Sequence, residues 1–205
     1  MKLKICGLSR PSEVETCINN GVDFCGFILN FPKSHRYINN ELANKLTNLD
    51  KKKSKFVGVL VQPSKKELEK FSKLNLDYFQ LYGNYNDDQI FQIKKDFNKK
   101  IIATIQVKNK EDVQNYEKVK NSADIILWDS SGYEKSLSWD YNLIKSIPFN
   151  GKKMIAGNIT IQKLKDLINL ADIVDVSGAL ETNKVKDISK IIDFVTHIKK
   201  INDEN

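Results

Sequence analysis

Leu3-Lys4-Ile5-Cys6-Gly7, in the opening run Met1-Lys2-Leu3-Lys4-Ile5-Cys6-Gly7, decides the fold. It is a short apolar segment interrupted by one lysine, ended by a thiol and a glycine. Pro11, Ser12 and Glu13 follow at once and mark a helix start. A strand running straight into a helix is half of a βα unit. The thiol then lies at the C-terminal tip of the strand, which is where chemistry is done if the strand belongs to an α/β barrel.

The same pattern recurs along the chain. Short β-rich runs are predicted at Leu3–Cys6, Phe24–Leu29, Phe56–Val61, Tyr78–Leu81, Ile101–Ile105, Ile125–Trp128, Met154–Ala156 and Ile173–Val176. Helix starts fall between them. Asn40-Glu41 opens one, and Ser64 with Glu67 has the spacing of a capping box. Asp87-Asp88, Asn109 and Thr160 open three more, and Asp187 leads the apolar stripe Ile188, Ile191, Ile192, Val195. Eight strands, each followed by a helix, predict an α/β protein: a single-domain (β/α)8 barrel over residues 1–205. An open doubly wound sheet is the alternative, but no G-x-G-x-x-G follows the first strand.

Composition narrows the function class. The chain has 205 residues, 40% hydrophobic and 29% charged, enough for one domain with a real core. The N-terminus lacks the apolar core of a signal peptide, and no apolar run reaches the ~18 residues of a membrane span. A cytoplasmic, stand-alone protein with no membrane partner is expected. Three cysteines, no C-x-x-C and two histidines disfavour a disulfide framework or a zinc site. The net charge of +7 comes from dispersed lysines, densest at Lys51-Lys52-Lys53. Dispersion fits solvated helix faces better than a nucleic-acid surface, so no nucleic-acid partner is expected.

Alternation along barrel strands sorts side chains between axis and helix layer. Leu3 and Ile5 face helices, so Lys4 and Cys6 face the axis. Ile126 and Trp128 face helices, and Asp129 ends the inward face of strand six. Val174 and Val176 face helices, while Asp175 and Ser177 face inward. Cys6, Asp129, Asp175 and Ser177 thus meet at one end. Each alone has a bland reading: a small buried hydrophobe for cysteine, a turn or cap for aspartate. Cys17 and Cys25 take that bland reading. The convergence of the others points to a site.

These residues carry a resemblance. Lys4-Ile5-Cys6-Gly7-Leu8-Ser9-Arg10 resembles the K-I-C-G-[IL]-[TS]-R opening of the phosphoribosylanthranilate isomerase family. Further matches follow in order: Gly21–Ile28, Ser34-His35-Arg36-Tyr37-Ile38, Gly58–Val61, Gln80-Leu81-Tyr82-Gly83, Leu127–Ser130, Ala156–Ile159 and Val174–Ser177. The resemblance implies an Amadori isomerase of tryptophan biosynthesis that acts on a phosphorylated small molecule without metal or organic cofactor. It implies Cys6 as general base and Asp129 as general acid. It implies Arg36 on the anthranilate carboxylate, Asp175 near the substrate amine and ribose, and the phosphate on backbone N–H groups of Gly157, Asn158, Ser177 and Gly178. Lys4, on the same inward face, is expected to lower the Cys6 pKa. The oligomeric state is open, with a monomer favoured.

Several positions depart from the family pattern. Ser130–Asp140 holds one glycine where the family carries G-G-T-G. Asn158 replaces a glycine, Ala179 falls where a loop glycine is usual, and Tyr82 replaces the histidine of Q-L-H-G. None of these is expected to touch the base or the acid. Two alternatives stand beside the isomerase. One is a broader aminoaldose-phosphate isomerase that also takes the histidine-pathway substrate, although that relative carries aspartate at the Cys6 position. The other is a degenerate, non-catalytic barrel.

Overall fold

In a computed structural model, which describes residues 1–130 and 138–204, eight parallel strands close into a barrel in sequence order. They are β1 (Lys2–Cys6), β2 (Phe24–Ile28), β3 (Lys55–Val61), β4 (Tyr78–Tyr82), β5 (Lys100–Val107), β6 (Ile125–Ser130), β7 (Lys152–Ile155) and β8 (Ile173–Val176). All eight expected strands are present, with ends moved by one or two residues. β1 pairs with β2 on one side and β8 on the other, which closes the ring.

The inside–outside assignment holds. Leu3, Ile5, Ile126, Trp128, Val174 and Val176 pack with the helices in the outer core. A second cluster, Phe24, Val57, Ile102, Ile125, Leu127, Met154, Ala156 and Ile173, fills the barrel axis. Polar Lys4, Gln80, Thr104 and Asp175 are also buried. They alternate with the apolar residues on the inward faces of β1, β4, β5 and β8. The outer core and the barrel core therefore share each strand, one residue apart.

Among the described residues, five full helices cover the outside: α1 (Pro11–Asn19), α2 (Asn40–Thr47), α3 (Lys65–Ser72), α4 (Asp87–Phe97) and, after the short α5 (Leu164–Leu167), α6 (Ile188–Asp203). The Ser64/Glu67 capping box forms as expected, and Asp187 caps α6 by accepting from Ser189 and Lys190 N–H. Three caps fall before the expected start. Arg10 caps α1, because Pro11 takes the first helical turn and Glu13 Oε2 reaches back to the N–H groups of Ser9 and Arg10. Asn39 and Asn86 cap α2 and α4.

The helices expected after strands five to seven are mostly replaced by 3-10 turns, at Glu111–Lys118, Tyr141–Ile144 and Ile161–Lys163. Their buried residues show why. Val113, Tyr116 and Val119 recur every third position after strand five, as do Ile144 and Ile147 after strand six, while Ile161–Lys163 buries no residue and runs on into a single α-helical turn, Leu164–Leu167. A strict period of three matches the 3-10 helix, whereas an α-helical stripe needs the mixed three-and-four spacing seen at Ile191, Phe194, Val195 and Ile198. Pro148 also bars a longer helix after Ile144.

One device repeats around the N-terminal face. Asp23, Asp77, Asp124 and Asp172 each stand just before an even-numbered strand. Their Oδ2 atoms accept from the N–H of Leu3, Phe56, Ile101 and Lys153 on the preceding odd-numbered strand, at 2.8–2.9 Å. Each clamp pins a βαβ unit at its start. Replacing Asp23 by Ala leaves the Leu3 N–H without its acceptor. Urea unfolding of Asp23→Ala is expected to show a loss of about 1–3 kcal/mol with unchanged m-value; a loss below about 0.5 kcal/mol, within the scatter of ordinary surface changes, would discard the clamp.

Candidate active site

The inward residues at the C-terminal ends of the strands line one cavity of about 300 Å³. Cys6, Arg36, Asp129, Gly157, Asn158, Asp175, Ser177 and Gly178 all border it, with Ile28, Val59, Val61 and Phe31 as apolar wall. Every residue singled out from the sequence is therefore in one place. Of the Ser130–Asp140 stretch expected to differ from G-G-T-G, residues 131–137 lie outside the described residues, whereas Ser130 and 138–140 are described.

The floor is an ion pair. Lys4 Nζ and Asp175 Oδ2 are 2.7 Å apart, both buried. They are register partners across the β1–β8 seam. Burial alone would lower Lys4, but the Asp175 carboxylate and the Cys6 thiol outweigh it and hold the ammonium above its ordinary value. Burial pushes Asp175 up, against the pull of Lys4. Asp175 Oδ1 is buried with no partner among the described residues.

Cys6 stands one pleat above Lys4. Gly26 makes the room: a Cβ there would come within 3.1 Å of Cys6 Sγ and 3.2 Å of Lys4 Nζ. The expected lowering of the thiol by Lys4 is present but does not prevail. Burial is the largest influence and leaves Cys6 above the ordinary thiol value, with Lys4 and Lys186 pulling it down. Cys17 and Cys25 are fully buried among the outer core, as expected of filler.

Asp129 sits at the tip of β6. Burial pushes its carboxyl up to about 6, reinforced by Asp175 and opposed by hydrogen bonds from Tyr82 and the Ser130 N–H and by Lys4. Tyr82 donates its hydroxyl to Asp129 Oδ2 at 2.7 Å. This corrects the expectation that no departure from the family pattern touches the acid. The residue was misjudged because Q-L-Y-G was read as a motif. Its place on the inward face of β4, two after Gln80, was the signal that could have found it.

Arg36 is already paired. Its Nε and Nη2 donate to the two carboxylate oxygens of Glu181 at 2.5 and 2.9 Å. Gly7, at φ +78°, lets the arginine pass: a Cβ there would meet Arg36 Cδ at 2.4 Å. Glu181 also takes Lys186 Nζ at 2.5 Å and His35 at 3.2 Å. Burial pushes Glu181 up, but the Arg36 and Lys186 contacts outweigh it and bring the carboxyl to about 2. Glu181 and Lys186 face each other across an unexpected hairpin, β9 (Glu181–Thr182) and β10 (Val185–Lys186). Asn183 and Lys184 form its two-residue turn, both at positive φ. The sequence reading missed the hairpin and the buried Lys186, because Asn-Lys is a weak turn signal and a lone lysine reads as surface.

Two backbone turns flank the opposite wall. Gly157 and Asn158 take consecutive positive φ values of 100° and 47°. Trp139 Nε1 donates to Ala156 O at 3.0 Å, Tyr141 Oη donates to Gly157 O, and Lys163 Nζ donates to Asn158 O at 3.0 Å. Asn158 therefore keeps the backbone form of the glycine it replaces. Ser177 Oγ donates to Cys6 O at 2.9 Å, tying the start of the Gly178–Leu180 turn to the thiol's own backbone.

The arrangement can give a proton from one wall, take one at another, and hold anions at two ends. Comparisons with known proteins agree with it. The family model for N-(5'phosphoribosyl)anthranilate (PRA) isomerase matches residues 3–197. The N-(5'-phosphoribosyl)anthranilate isomerase of Streptococcus mutans is 34% identical over 202 residues, covering 97% of this chain and 99% of that protein. The Streptococcus gordonii enzyme of the same name is 33% identical, covering 97% of each. The solved phosphoribosyl anthranilate isomerase of Thermotoga maritima superposes with a TM-score of 0.84 at 25% identity, covering 98% of this chain and 99% of that one. With barrel, cavity and matches in agreement over nearly the whole length, the chain belongs to the N-(5'-phosphoribosyl)anthranilate isomerase family.

Proposed function

We propose that the cavity isomerises N-(5'-phosphoribosyl)anthranilate to the aminodeoxyribulose phosphate, the Amadori step of tryptophan biosynthesis, with Asp129 as acid and Cys6 as base. The observation that carries this assignment is Asp129: a carboxyl pushed to about 6 and lining the same cavity as the only thiol found there. A carboxylic acid donates a proton near neutral pH only when its environment favours the protonated form.

The steps balance without an outside reagent. Asp129 gives its proton to the furanose oxygen as the C1′–O bond breaks. The nitrogen lone pair forms C=N, leaving an open-chain protonated imine. The Cys6 thiolate then takes the C2′ proton, the C2′–H electrons form C1′=C2′, and the C=N electrons return to nitrogen. The resulting enol becomes the ketone. Both proton-transfer groups come from the chain's own side chains, so the reading carries no metal or organic cofactor and fits a cytoplasmic, monomeric enzyme.

Binding follows the same geometry. The substrate carboxylate would reach Arg36 on donors other than those held by Glu181, since a guanidinium has five N–H groups. Asp175 Oδ1, buried and without a protein partner among the described residues, would accept from the amine or a ribose hydroxyl. The phosphate would rest on the backbone at Gly157, Asn158, Ser177 and Gly178, after strands seven and eight.

Loss of phosphoribosylanthranilate fluorescence on adding the protein tests the activity. Cys6→Ala and Asp129→Asn are each expected to lower kcat roughly 10²- to 10⁴-fold, and near-normal turnover in either would overturn its assignment.

The pH dependence has a definite sign. The productive state has Asp129 protonated and Cys6 ionised. The commoner one-proton state is the reverse, Asp129 carboxylate with Cys6 thiol, because the acid lies at about 6 and the thiol above its ordinary value. Both states hold one proton, so their ratio does not change with pH. Activity is therefore expected to rise with pH up to about 6, as the two-proton state empties, and to fall when Cys6 ionises as well. The substrate phosphate also titrates near ~6. Carbon-13 NMR of the free protein, with Asp129→Asn as the blank, separates the two; an Asp129 signal titrating near an ordinary ~3.9 would contradict the assignment.

Lys4 draws Cys6 down, so removing it should drive the thiol higher still. Thiolate absorbance of Lys4→Met, with a Cys6→Ser blank subtracted, is expected to titrate at higher pH than the wild type. An unmoved curve would free the thiol from Lys4.

A further inference from the structure

We propose that Tyr82 is the positioning residue of the acid: its hydroxyl, hydrogen-bonded to Asp129 Oδ2, fixes which carboxyl oxygen gives the proton and steadies the carboxylate that remains. The inference rests on the assignment of Asp129 above and adds to it a second side chain acting through it.

The geometry is directional. Gln80 and Tyr82 lie on the same inward face of β4. Gln80 Nε2 donates to Tyr82 Oη at 3.3 Å, and Tyr82 Oη donates to Asp129 Oδ2 at 2.7 Å. An amide N–H aimed at the phenol oxygen leaves the phenol proton to point onward, to the carboxylate. Oδ2 is thereby held as an acceptor, and Oδ1 is the oxygen left to carry the transferable proton. Tyr82 keeps this role across the working pH range. Burial, and then the negative charges of Asp129, Cys6 and Asp175, hold the phenol well above its ordinary value, so it stays a donor.

The contact also acts on the chemistry. As the C1′–O bond breaks, the Asp129 Oδ1–H bond breaks with it and negative charge appears on the carboxyl. A hydrogen bond to a charged acceptor is stronger than one to a neutral one. Tyr82 therefore stabilises the transition state more than the ground state, which is what accelerates a step. Among the described residues, the other groups acting on Asp129 are Lys4 on β1, Asp175 on β8, the Ser130 N–H on its own strand, and Tyr141. Of the side chains among these, Tyr82 is the one shown donating to the carboxyl.

A tyrosine here also differs in kind from the histidine the family pattern carries. Histidine changes charge near ~6.5, within the range where Asp129 titrates. Tyrosine does not, so the acid of this enzyme titrates beside a partner of constant charge.

The test compares Tyr82→Phe and Tyr82→His with the wild type, following the Asp129 carboxyl by carbon-13 NMR in the free protein and kcat and KM by substrate fluorescence. Removing a hydroxyl bonded to a carboxylate is expected to move Asp129 upward by about one pH unit. kcat should fall about tenfold while KM stays within about threefold, the split expected of an interaction made only in the transition state. Tyr82→His keeps a donor and should restore kcat to within a few-fold, with a second titration appearing in the acid limb. An Asp129 titration unmoved in Tyr82→Phe, with kcat unchanged, overturns the inference. Should Tyr82→Phe not fold, the inference stands or falls on Tyr82→His, which must show the added titration. Asp129→Asn runs alongside: full activity there means the acid was misassigned, whereas an inactive Asp129→Asn beside a wild-type Tyr82→Phe removes Tyr82 alone.

Discussion

The Lys4–Asp175 pair is the contact on which the rest of the site depends. It joins the first strand to the last at the seam where the barrel closes, at 2.7 Å and out of reach of solvent. Desolvating two charges costs several kcal/mol per ion, and good geometry only offsets it. A hydrophobic pair of similar volume could close the seam as well. What such a pair could not do is place an ammonium beneath Cys6 and leave one oxygen of Asp175 facing the cavity. Gly26 completes the arrangement by leaving space for both the thiol and the ammonium. The ionic floor thus serves the chemistry above it more than the stability of the barrel.

The two ends of the barrel show how environment separates identical side chains. Asp23, Asp77, Asp124 and Asp172 ring the N-terminal face, each accepting from a backbone N–H. At Asp172 partial burial pushes upward, but Lys152 and the Lys153 N–H outweigh it and hold the carboxyl below its ordinary value. Asp129, at the other end, is buried more fully, and burial prevails over its hydrogen bonds from Tyr82 and the Ser130 N–H. One residue type is held below its ordinary value where a lysine and an N–H group bond to it and is pushed above it where burial prevails. The division matches the general one in this fold, with stability at the bottom and chemistry at the top.

The sequence made the barrel legible because its strands are short, well spaced and strictly alternating. Lys4 and Cys6 could be turned inward simply because Leu3 and Ile5 turn outward. The helices after strands five to seven were overread. Their apolar residues recur every third position, and a count of that period separates Val113, Tyr116 and Val119 from the mixed spacing of α6. Cys6 and Asp129 were legible from strand position, and their surroundings were not. Whether Lys4 or burial dominates the thiol depends on how closed the cavity is, which one strand cannot disclose. The Arg36–Glu181 pair joins residues 145 apart in the chain through a hairpin with an unorthodox turn. Tyr82 on β4 reaches Asp129 on β6 across 47 residues and the intervening strand β5. Contacts of that range follow from strand order and register, and those exist only once the sheet has closed.

Charge balance in the cavity links binding to acid strength. Lys4, Arg36 and Lys186 supply three cations, and Asp175, Glu181 and Asp129 supply three carboxylates. The Cys6 thiol, above its ordinary value, adds no charge near neutrality. These six charges balance when Asp129 is ionised. A substrate carrying a carboxylate and a phosphate brings negative charge into a space of about 300 Å³. Of the three carboxylates, Glu181 is held at about 2 by Arg36 and Lys186, and Asp175 is bound to Lys4. Asp129, held at about 6 chiefly by burial, is pushed further toward its protonated form when like charge approaches. On the proposed mechanism, an anionic substrate thus favours the protonated form of Asp129 that ring opening needs.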